Sequence, residues 1–255
     1  MPCLTDAHCH LQDPAFADDL SEVLDRAARF GIRRLVVNGT SPADWLRVAE
    51  LASAFPDRIL PQFGVHPWRV GELPGDWKAQ LSALLLRFPR AGIGEIGLDT
   101  QCTDAPIQLQ LEIFREQWKL AAGLGRPCTV HLIKAWPEWT LVLQSQPPPR
   151  FLLHSYSGSA EQVQSWVKAG AYFSFGGAVL RRKDSRKLLQ ALRAVPAERL
   201  LLETDAPFQH PQGKTERQEP AGLAAIAETV AAIREVSLAS LLQSSEQAAR
   251  NLFES

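Results

Sequence analysis

Short apolar runs alternate along this chain with segments in which apolar residues recur every three or four positions. Runs of the first kind are typical of buried strands, and the spacing of the second kind is typical of amphipathic helices. The runs predict eight strands, at residues 3–8, 34–39, 59–66, 91–97, 128–133, 150–155, 171–176 and 199–205. The other segments predict helices near residues 17–30, 42–55, 77–88, 106–124, 137–145, 160–169, 185–194 and 222–236.

A strand followed by a helix, eight times over, is the element order of a (β/α)8 TIM-type barrel, which typically needs about 250 residues. The chain has 255 residues, and one further helical pattern, at residues 238–253, is left over as an extra C-terminal helix. An open, doubly wound parallel sheet is the alternative α/β architecture. No linker rich in Pro, Gly or Ser divides the pattern, so residues 1–255 are predicted to form a single barrel domain.

The composition is that of a folded globular protein. Hydrophobic residues make up 45% and charged residues 22% of the chain, which excludes a disordered, collagen-like or coiled-coil protein. The formal net charge of −1 gives no global attraction to nucleic acid or to a membrane surface. No apolar stretch is long enough to span a bilayer, no basic and apolar signal opens the chain, and the four cysteines form no CxxC pair. We therefore expect a cytoplasmic protein with reduced thiols.

Histidines and acids fall at, or just after, the C-terminal ends of the predicted strands. They are His8, His10, His66, Glu95, His131, His154 and Asp205. In a (β/α)8 barrel these strand ends converge on one face, where the active sites of such enzymes lie. Imidazoles with carboxylates, without thiolates, suit Zn²⁺, Mn²⁺, Fe²⁺ or Mg²⁺. The set exceeds the ligands of one tetrahedral ion, so two divalent ions bridged by a carboxylate are predicted. The alternative is that these are ordinary core and loop histidines.

Six motifs, in order along the chain, resemble those of the TatD family of metal-dependent deoxyribonucleases, within the amidohydrolase-like superfamily. They are DAHCHL (6–11), GVHP (64–67), GEIGLD (94–99), VHLIKA (130–135), HSYSGS (154–159) and LLLETDAPF (200–208). The resemblance implies cleavage of phosphodiester bonds in DNA, from a 3′ end of single-stranded or frayed DNA. It also implies metal ligands at His8, His10, Glu95, His131, His154 and Asp205, with Glu95 as the bridge.

The chain departs from the family pattern at three places. Ile133 stands where the family commonly has an arginine, two positions after the histidine of the fifth strand. Trp68 stands where a second histidine often follows the third strand, and Gln218 replaces the asparagine of a late Asn-Glu-Pro motif. These departures leave the predicted metal ligands intact and concern the choice of substrate.

The hypothesised mechanism uses a water that bridges the two ions as the nucleophile on phosphorus. Asp205 would orient that water and take its proton, and His66, which exceeds the ligand set, would contact the scissile phosphate or the leaving oxygen. Asp6 and Glu203 share strand faces with His8 and Asp205, so we expect them to support the ligating rings from below.

Cations in the loops of the same face predict a local site for phosphate in a chain of net charge −1. The candidates are Lys134, Arg181, Arg182 and Lys183, with Lys214 and Arg217 after the last strand. Trp68, Trp136 and Phe208 lie in these loops and are candidates to stack on bases. The alternative is that the cations are solvated helix starts and that the aromatic rings only cover the barrel. DNA is the expected partner, and no obligate protein partner is inferred.

Other functions remain open. GIGEIG (92–97) matches the dinucleotide pattern GxGxxG, but its glycines lie within a strand and no helix opens directly after them, which argues against a nicotinamide cofactor. The same barrel and metals acting on a carbonyl ester, lactone, amide or small phosphoester is the first alternative. A non-catalytic metal-binding scaffold is the second.

Overall fold

A computed structural model describes residues 4–181, 185–211 and 217–254. Each of the eight predicted strands overlaps a strand of the structure. The strands are β1 (Leu4–Cys9), β2 (Ile32–Asn38), β3 (Ile59–Gln62), β4 (Ile93–Asp99), β5 (Cys128–Ile133), β6 (Phe151–Leu153), β7 (Ala171–Phe175) and β8 (Leu200–Leu202). The predicted α/β alternation is therefore confirmed.

The predicted helices are also present. They are α1 (Leu20–Arg29), α2 (Pro42–Ala54), α3 (Trp77–Arg87), α4 (Ile107–Leu124), α5 (Trp136–Ser145), α6 (Ala160–Lys168), α7 (Ala178–Arg181), α8 (Arg186–Ala194), α9 (Leu223–Arg234) and α10 (Leu238–Phe253). Local chemistry sets their ends: Ser41 and Asp44 form a capping box at the start of α2, and Gly125 ends α4 in the left-handed region, with φ of 65°. The sequence pattern did not predict α7, which is a single turn.

All the strands pair in parallel, in the orders β1-β2-β3 and β4-β5-β6-β7-β8. Backbone hydrogen bonds join the two sheets at both edges. On one side Gln62 pairs with Gly92, and on the other the amide of Asp205 donates to the carbonyl of His8 at 2.9 Å and the amide of His10 donates to Ala206 at 2.7 Å. The strands thus close into the (β/α)8 barrel, and the alternative of an open sheet is wrong.

The helix α10 closes the N-terminal end of the barrel. One cluster of buried apolar side chains joins inner positions of six strands to the last turns of this helix. Its members are Ala7, Val36, Leu60, Leu152, Tyr172 and Leu201 with Ala248, Ala249, Leu252 and Phe253. The extra C-terminal helix is therefore confirmed, and it supplies an apolar floor to the barrel.

Along five of the strands, the barrel interior changes from apolar to polar. Two positions beyond members of the floor, on the same strand face, come the buried polar side chains of Asn38, Gln62, His154, Ser174 and Glu203. The upper half of the barrel interior is thus polar, and it leads to the face where the strands end.

The described helices include none that is both long and apolar enough to cross a bilayer. Cys9, Cys102 and Cys128 are free thiols, and Cys9 and Cys128 are buried. Burial raises the pKa of both buried thiols well above its usual range, so they stay in the unreactive thiol form.

Candidate metal centre

The carboxyl ends of the strands bring the predicted histidines and acids together around Glu95. Five histidines each place a ring nitrogen within 3.4 Å of its carboxylate. Two of them, His8 and His10, face Oε2 of Glu95 and also lie within 3.5 Å of Oδ1 of Asp205. Those five are His8, His10, His66, His131 and His154. Barrel closure predicts this convergence of side chains from β1, β4 and β5 and from the segments directly after β1, β3, β6 and β8.

The first group of donors comprises His8, His10, Glu95 and Asp205. The Nε2 atoms of the two histidines are 3.1 Å apart, 3.4 and 3.3 Å from Oε2 of Glu95, and 3.4 and 3.5 Å from Oδ1 of Asp205. Nδ1 of His10 lies 2.8 Å from the carbonyl oxygen of Asn38, which can only accept, so Nδ1 carries the hydrogen. When the ring is neutral, Nε2 of His10 therefore presents its lone pair to the group, as a metal ligand requires.

The second group comprises Glu95, His131 and His154. Oε1 of Glu95 is 3.0 Å from Nδ1 of His131 and 2.9 Å from Nε2 of His154, and these two nitrogens are 3.3 Å apart. The two oxygens of Glu95 therefore serve different groups of nitrogens. This arrangement suits a carboxylate shared by two cations.

His66 has a different character, although it lies close enough to Glu95 and His131 to form a possible metal group with them. Its Nδ1 accepts a hydrogen bond from the backbone amide of Trp68 at 3.2 Å, which leaves Nε2 to carry the hydrogen in the neutral ring. Burial lowers the pKa of His66 to about 4, so the ring is neutral near pH 7. A neutral ring with Nε2–H directed at the cluster is a hydrogen-bond donor, and this favours contact with an oxygen over metal ligation.

The pKa values of the acids and histidines in the cluster indicate that it binds positive charge. Burial by itself raises the pKa of Glu95 and of Asp205, but the neighbouring histidines outweigh it, and both carboxyl groups have a lowered pKa. Burial lowers the pKa of His10, yet hydrogen bonds to Asp205 and Glu95 raise it to about 10. The buried carboxylates thus hold positive charge among them, as protons on imidazole nitrogens or as a metal cation. The donor set fits divalent ions.

The two predicted supporting acids occupy different surroundings. Oε1 of Glu203 faces Nδ1 of His154 at 3.7 Å, and the hydroxyl of Ser174 donates to the same carboxylate. Asp6 instead accepts from the amide and hydroxyl of Thr204, at 2.9 and 2.5 Å, and from the backbone amide of His8 at 3.4 Å. Asp6 therefore links β1 to the segment after β8, whereas Glu203 lies beside a ligand ring. Burial raises the pKa of Asp6 to about 7.

Two polar residues that touch the cluster, Asp99 and Gln209, were not predicted from the sequence. Oδ2 of Asp99 lies 3.2 Å from Nε2 of His131 and accepts from the indole N–H of Trp68 at 2.8 Å. The amide of Gln209 donates to Oδ2 of Asp205 at 2.7 Å and to Oγ of Ser155 at 3.0 Å. Asp99 shares the alternation of β4 with Glu95, which was an available signal. Gln209 lies in a loop without any periodic pattern.

Positive φ angles mark the same region. Five non-glycine residues of the described chain have φ between 44° and 57°, and one of them, Glu235, simply ends a helix. The other four are Lys134, Ser155, Asp205 and Gln209. Side chains with a Cβ rarely adopt this conformation, and it persists mainly where the surrounding structure enforces it, often at functional sites.

The predicted substrate residues are partly described. Lys134 and Arg181 are exposed and line a cavity of about 550 Å³ beside Ser155 and Gln209, and Trp68 is 58% exposed above His66. Arg182, Lys183 and Lys214 lie outside the described residues. Arg217 does not offer a free charge, because its guanidinium contacts Asp19 and Glu219 at 2.7 and 2.6 Å.

Glu219 also accepts from Arg26 at 2.8 Å, so the Gln-Glu-Pro variant of the late motif fastens this loop to α1. Ile133, another departure from the family pattern, is half-buried in the wall of the same cavity as Lys134. Among the contacts of the described residues, neither the Gln-Glu-Pro segment nor Ile133 touches the donors around Glu95. This is consistent with a metal centre that these two departures leave intact.

Residues 5–254 match the sequence model of the family described as TatD related DNase. The chain belongs to the TatD family. Its relatives include the protein named uncharacterized metal-dependent hydrolase YabD of Bacillus subtilis strain 168, 30% identical over 253 residues, with 98% of each chain covered. Another, named 3′-5′ ssDNA/RNA exonuclease TatD, from Edwardsiella piscicida, is 30% identical over 257 residues, covering 98% of this chain and 99% of the relative.

A solved TatD homologue has the same fold. The crystal structure of YJJV from Escherichia coli K12 superposes with a TM-score of 0.92 at 27% identity, covering 99% of this chain and 98% of the other. Membership of the TatD family makes this chain a metal-dependent hydrolase that acts on ester bonds, and the resemblance inferred from the six motifs is confirmed.

Proposed function

We propose that this TatD-family hydrolase is a 3′–5′ exonuclease that removes nucleotides from single-stranded DNA with the help of two divalent metal ions. The observation that carries the proposal is the division of Glu95 between two groups of donors, with the neutral N–H of His66 directed at the same carboxylate at 3.4 Å. Pairs of ions held in this way are used to hydrolyse phosphodiesters. The name of the Edwardsiella relative supports the choice of substrate and of polarity.

The residues that would hold the ions are the two groups described above. His8, His10, Glu95 and Asp205 would bind one ion, and Glu95, His131 and His154 the other. When bound, divalent ions stabilise negative charge on phosphoryl oxygens and make water more acidic. Glu203 beside His154, and Asp99 beside His131, would orient those two rings.

The side chains of this protein perform the remaining tasks. Asp205 is ionised, and Gln209 fixes one of its oxygens, so its carboxylate is oriented to align the attacking water and receive its proton. His66 donates its Nε2–H to an oxygen of the scissile phosphate or of the leaving group. Trp68 and Phe208 are exposed by 58% and 52% on either side of the cluster, beside His66 and His10, where they offer ring faces to bases.

The decisive experiment is hydrolysis of single-stranded DNA labelled at its 5′ end. Protein stripped with a chelator should be inactive, and Mg²⁺, Mn²⁺ or Zn²⁺ should restore a ladder of products shortened from the 3′ end. Asp205→Asn, which keeps the shape of the side chain, should lose activity by about a thousandfold or more. A folded, metal-loaded protein that leaves DNA intact would contradict the proposal and direct the search to carboxylic esters, lactones and small phosphoesters.

The number of ions is tested separately, by elemental analysis of protein freed from excess metal. The wild type should retain two ions per chain. His154→Ala removes a donor from one group only and should retain one, whereas Glu95→Gln weakens both groups and should retain fewer than one. Equal metal loss in the two variants would argue against a shared carboxylate. Circular dichroism should show that both variants remain folded.

A further inference from the structure

A cationic cavity adjoins the metal centre and has no part in the ligand set. It has a volume of about 550 Å³ and opens between the C-terminal ends of β5, β6 and β7. Lys134, Arg181 and Lys187 supply three positive charges to its wall, and no Asp or Glu occurs among its described lining residues. A cavity with this charge pattern selects an anionic ligand. Lys187, which lies in α8, is not among the cations predicted from the sequence.

The cavity lies next to Asp205, and the side chain of Gln209 stands between them. The amide of Gln209, which lines the cavity, donates to Asp205 at 2.7 Å and to the lining hydroxyl of Ser155 at 3.0 Å. One side chain therefore separates an anion in the cavity from the metal centre. This closeness suits two phosphates that follow one another along a single strand.

The cavity wall is held in an unusual backbone conformation. Lys134, Ser155 and Gln209 all line it, and all have positive φ angles, of 54°, 44° and 55°. Such conformations cost free energy in residues with a Cβ, and they persist where the surrounding structure enforces them. The aromatic rings of Trp136, Tyr156 and Phe175 complete the wall and give it an apolar side on which a sugar or base can pack.

We propose that this cavity binds the phosphate next to the scissile one in a single-stranded nucleic acid, with Lys187 as a direct contact. The inference rests on the proposed nuclease function and refines it. An enzyme with this second phosphate site requires at least two consecutive phosphodiesters for full activity, and so it acts on oligonucleotides in preference to dinucleotides. Arg181 also donates to the carbonyl of His210, at 3.2 Å, which keeps its guanidinium at the rim of the cavity.

The test compares thymidine dinucleotide, which has one phosphodiester, with the trinucleotide, which has two. For the wild-type holoenzyme we expect kcat/KM to be about tenfold higher for the trinucleotide, since the additional contact is charge-assisted. Lys187→Ala should lose most of this preference, and Arg186→Ala is the matched control. Arg186 is the preceding residue of the same helix, it is also exposed, and it does not line the cavity. Raising the salt concentration should reduce the preference of the wild type more than that of Lys187→Ala.

Equal kcat/KM values for the two substrates in the wild type, or the same preference in both variants, would overturn the proposal. If the wild type cleaves neither substrate, the nuclease function fails, and the cavity is then tested by calorimetric titration with the uncleaved trinucleotide. Binding that Lys187→Ala weakens about fivefold or more, and Arg186→Ala does not, would keep the phosphate site. Equal binding by both variants would exclude it.

Discussion

At the scale of single residues, the positive charge among the carboxylates has a consequence for metal binding. In the metal-free protein the pKa of His10 is about 10, and that of His154 is raised well above its usual value once the nearby carboxylates have outweighed burial. The value for His10 lies above the pH of an ordinary assay, and the pKa of His154 is shifted in the same direction. The rings that would bind metal therefore carry protons that compete with it.

We expect the apparent metal affinity to rise with pH, about tenfold per unit for each proton displaced, between about pH 6 and pH 8. Protons are bound when the pH lies below these raised pKa values, so a metal ion must release them, and higher pH makes that release easier. Calorimetric titration of Zn²⁺ or Mn²⁺ in two buffers of different ionisation enthalpy measures the number released. An affinity that does not change with pH would show that the rings are already neutral in the metal-free protein.

Trp68 combines two contacts that substitutions can separate. Its indole N–H donates to Asp99 at 2.8 Å, and its ring is 58% exposed at the mouth of the barrel. We expect Trp68→Ala to raise KM for single-stranded DNA about tenfold, because a ring that stacks on a base is lost. Trp68→Phe keeps a ring and loses only the N–H, so it should recover most of the loss. Equal KM values for both variants would assign Trp68 to holding Asp99 and not to stacking.

At the scale of elements, the strands were predictable because they are buried on both faces and are therefore continuous apolar runs. The helices were predictable because each buries one face over a length at which the helical period is visible. The turn α7 is four residues long, too short for a helical period. The residues of the site likewise fall into those that the strand pattern could place and those that it could not. Residues at strand ends, such as His8 and His154, could be placed from the closure of the barrel alone. Gln209 could not, because its contact with Asp205 depends on the path of a loop with left-handed backbone.

The floor formed by α10 should affect stability and not catalysis. Leu252 is fully buried against the inner strand residues, whereas Leu238, in the first turn of the same helix, is 39% exposed. We expect Leu252→Ala to lower the free energy of unfolding by about 2–5 kcal/mol and Leu238→Ala by less than about 1 kcal/mol. Urea unfolding measures both. Hydrolysis at 25 °C should stay near the wild-type rate, and a large loss of activity in folded Leu252→Ala would show that the floor communicates with the metal centre.

At the scale of the whole molecule, the metal ions should stabilise a fold that assembles without them. The donors come from both ends of the chain: Nε2 of His8 lies 3.4 Å from Oδ1 of Asp205. The ligand set therefore exists only when the barrel is closed. A ligand that binds only the folded state raises its stability. With metal at about one hundred times its Kd, we expect the melting temperature to rise on the order of 5–10 °C.

The same melting curves test the single-domain organisation, which stays a prediction. One cooperative transition, with and without metal, is expected for residues 1–255, and two separate transitions would contradict it. Asp205→Asn is the control, because it should unfold in one step with a smaller response to metal.

The apolar floor of α10 also gives the barrel a blind end. Leu252 and Phe253 fill the space below the polar interior, so nothing can pass along the barrel axis from one end to the other. In the proposed exonuclease, the strand therefore enters and the released nucleotide leaves through the same open end of the barrel. The nucleotide has to leave before the shortened strand can advance. We therefore expect the enzyme to dissociate from its substrate between successive cleavages, unlike an enzyme that threads DNA through a channel.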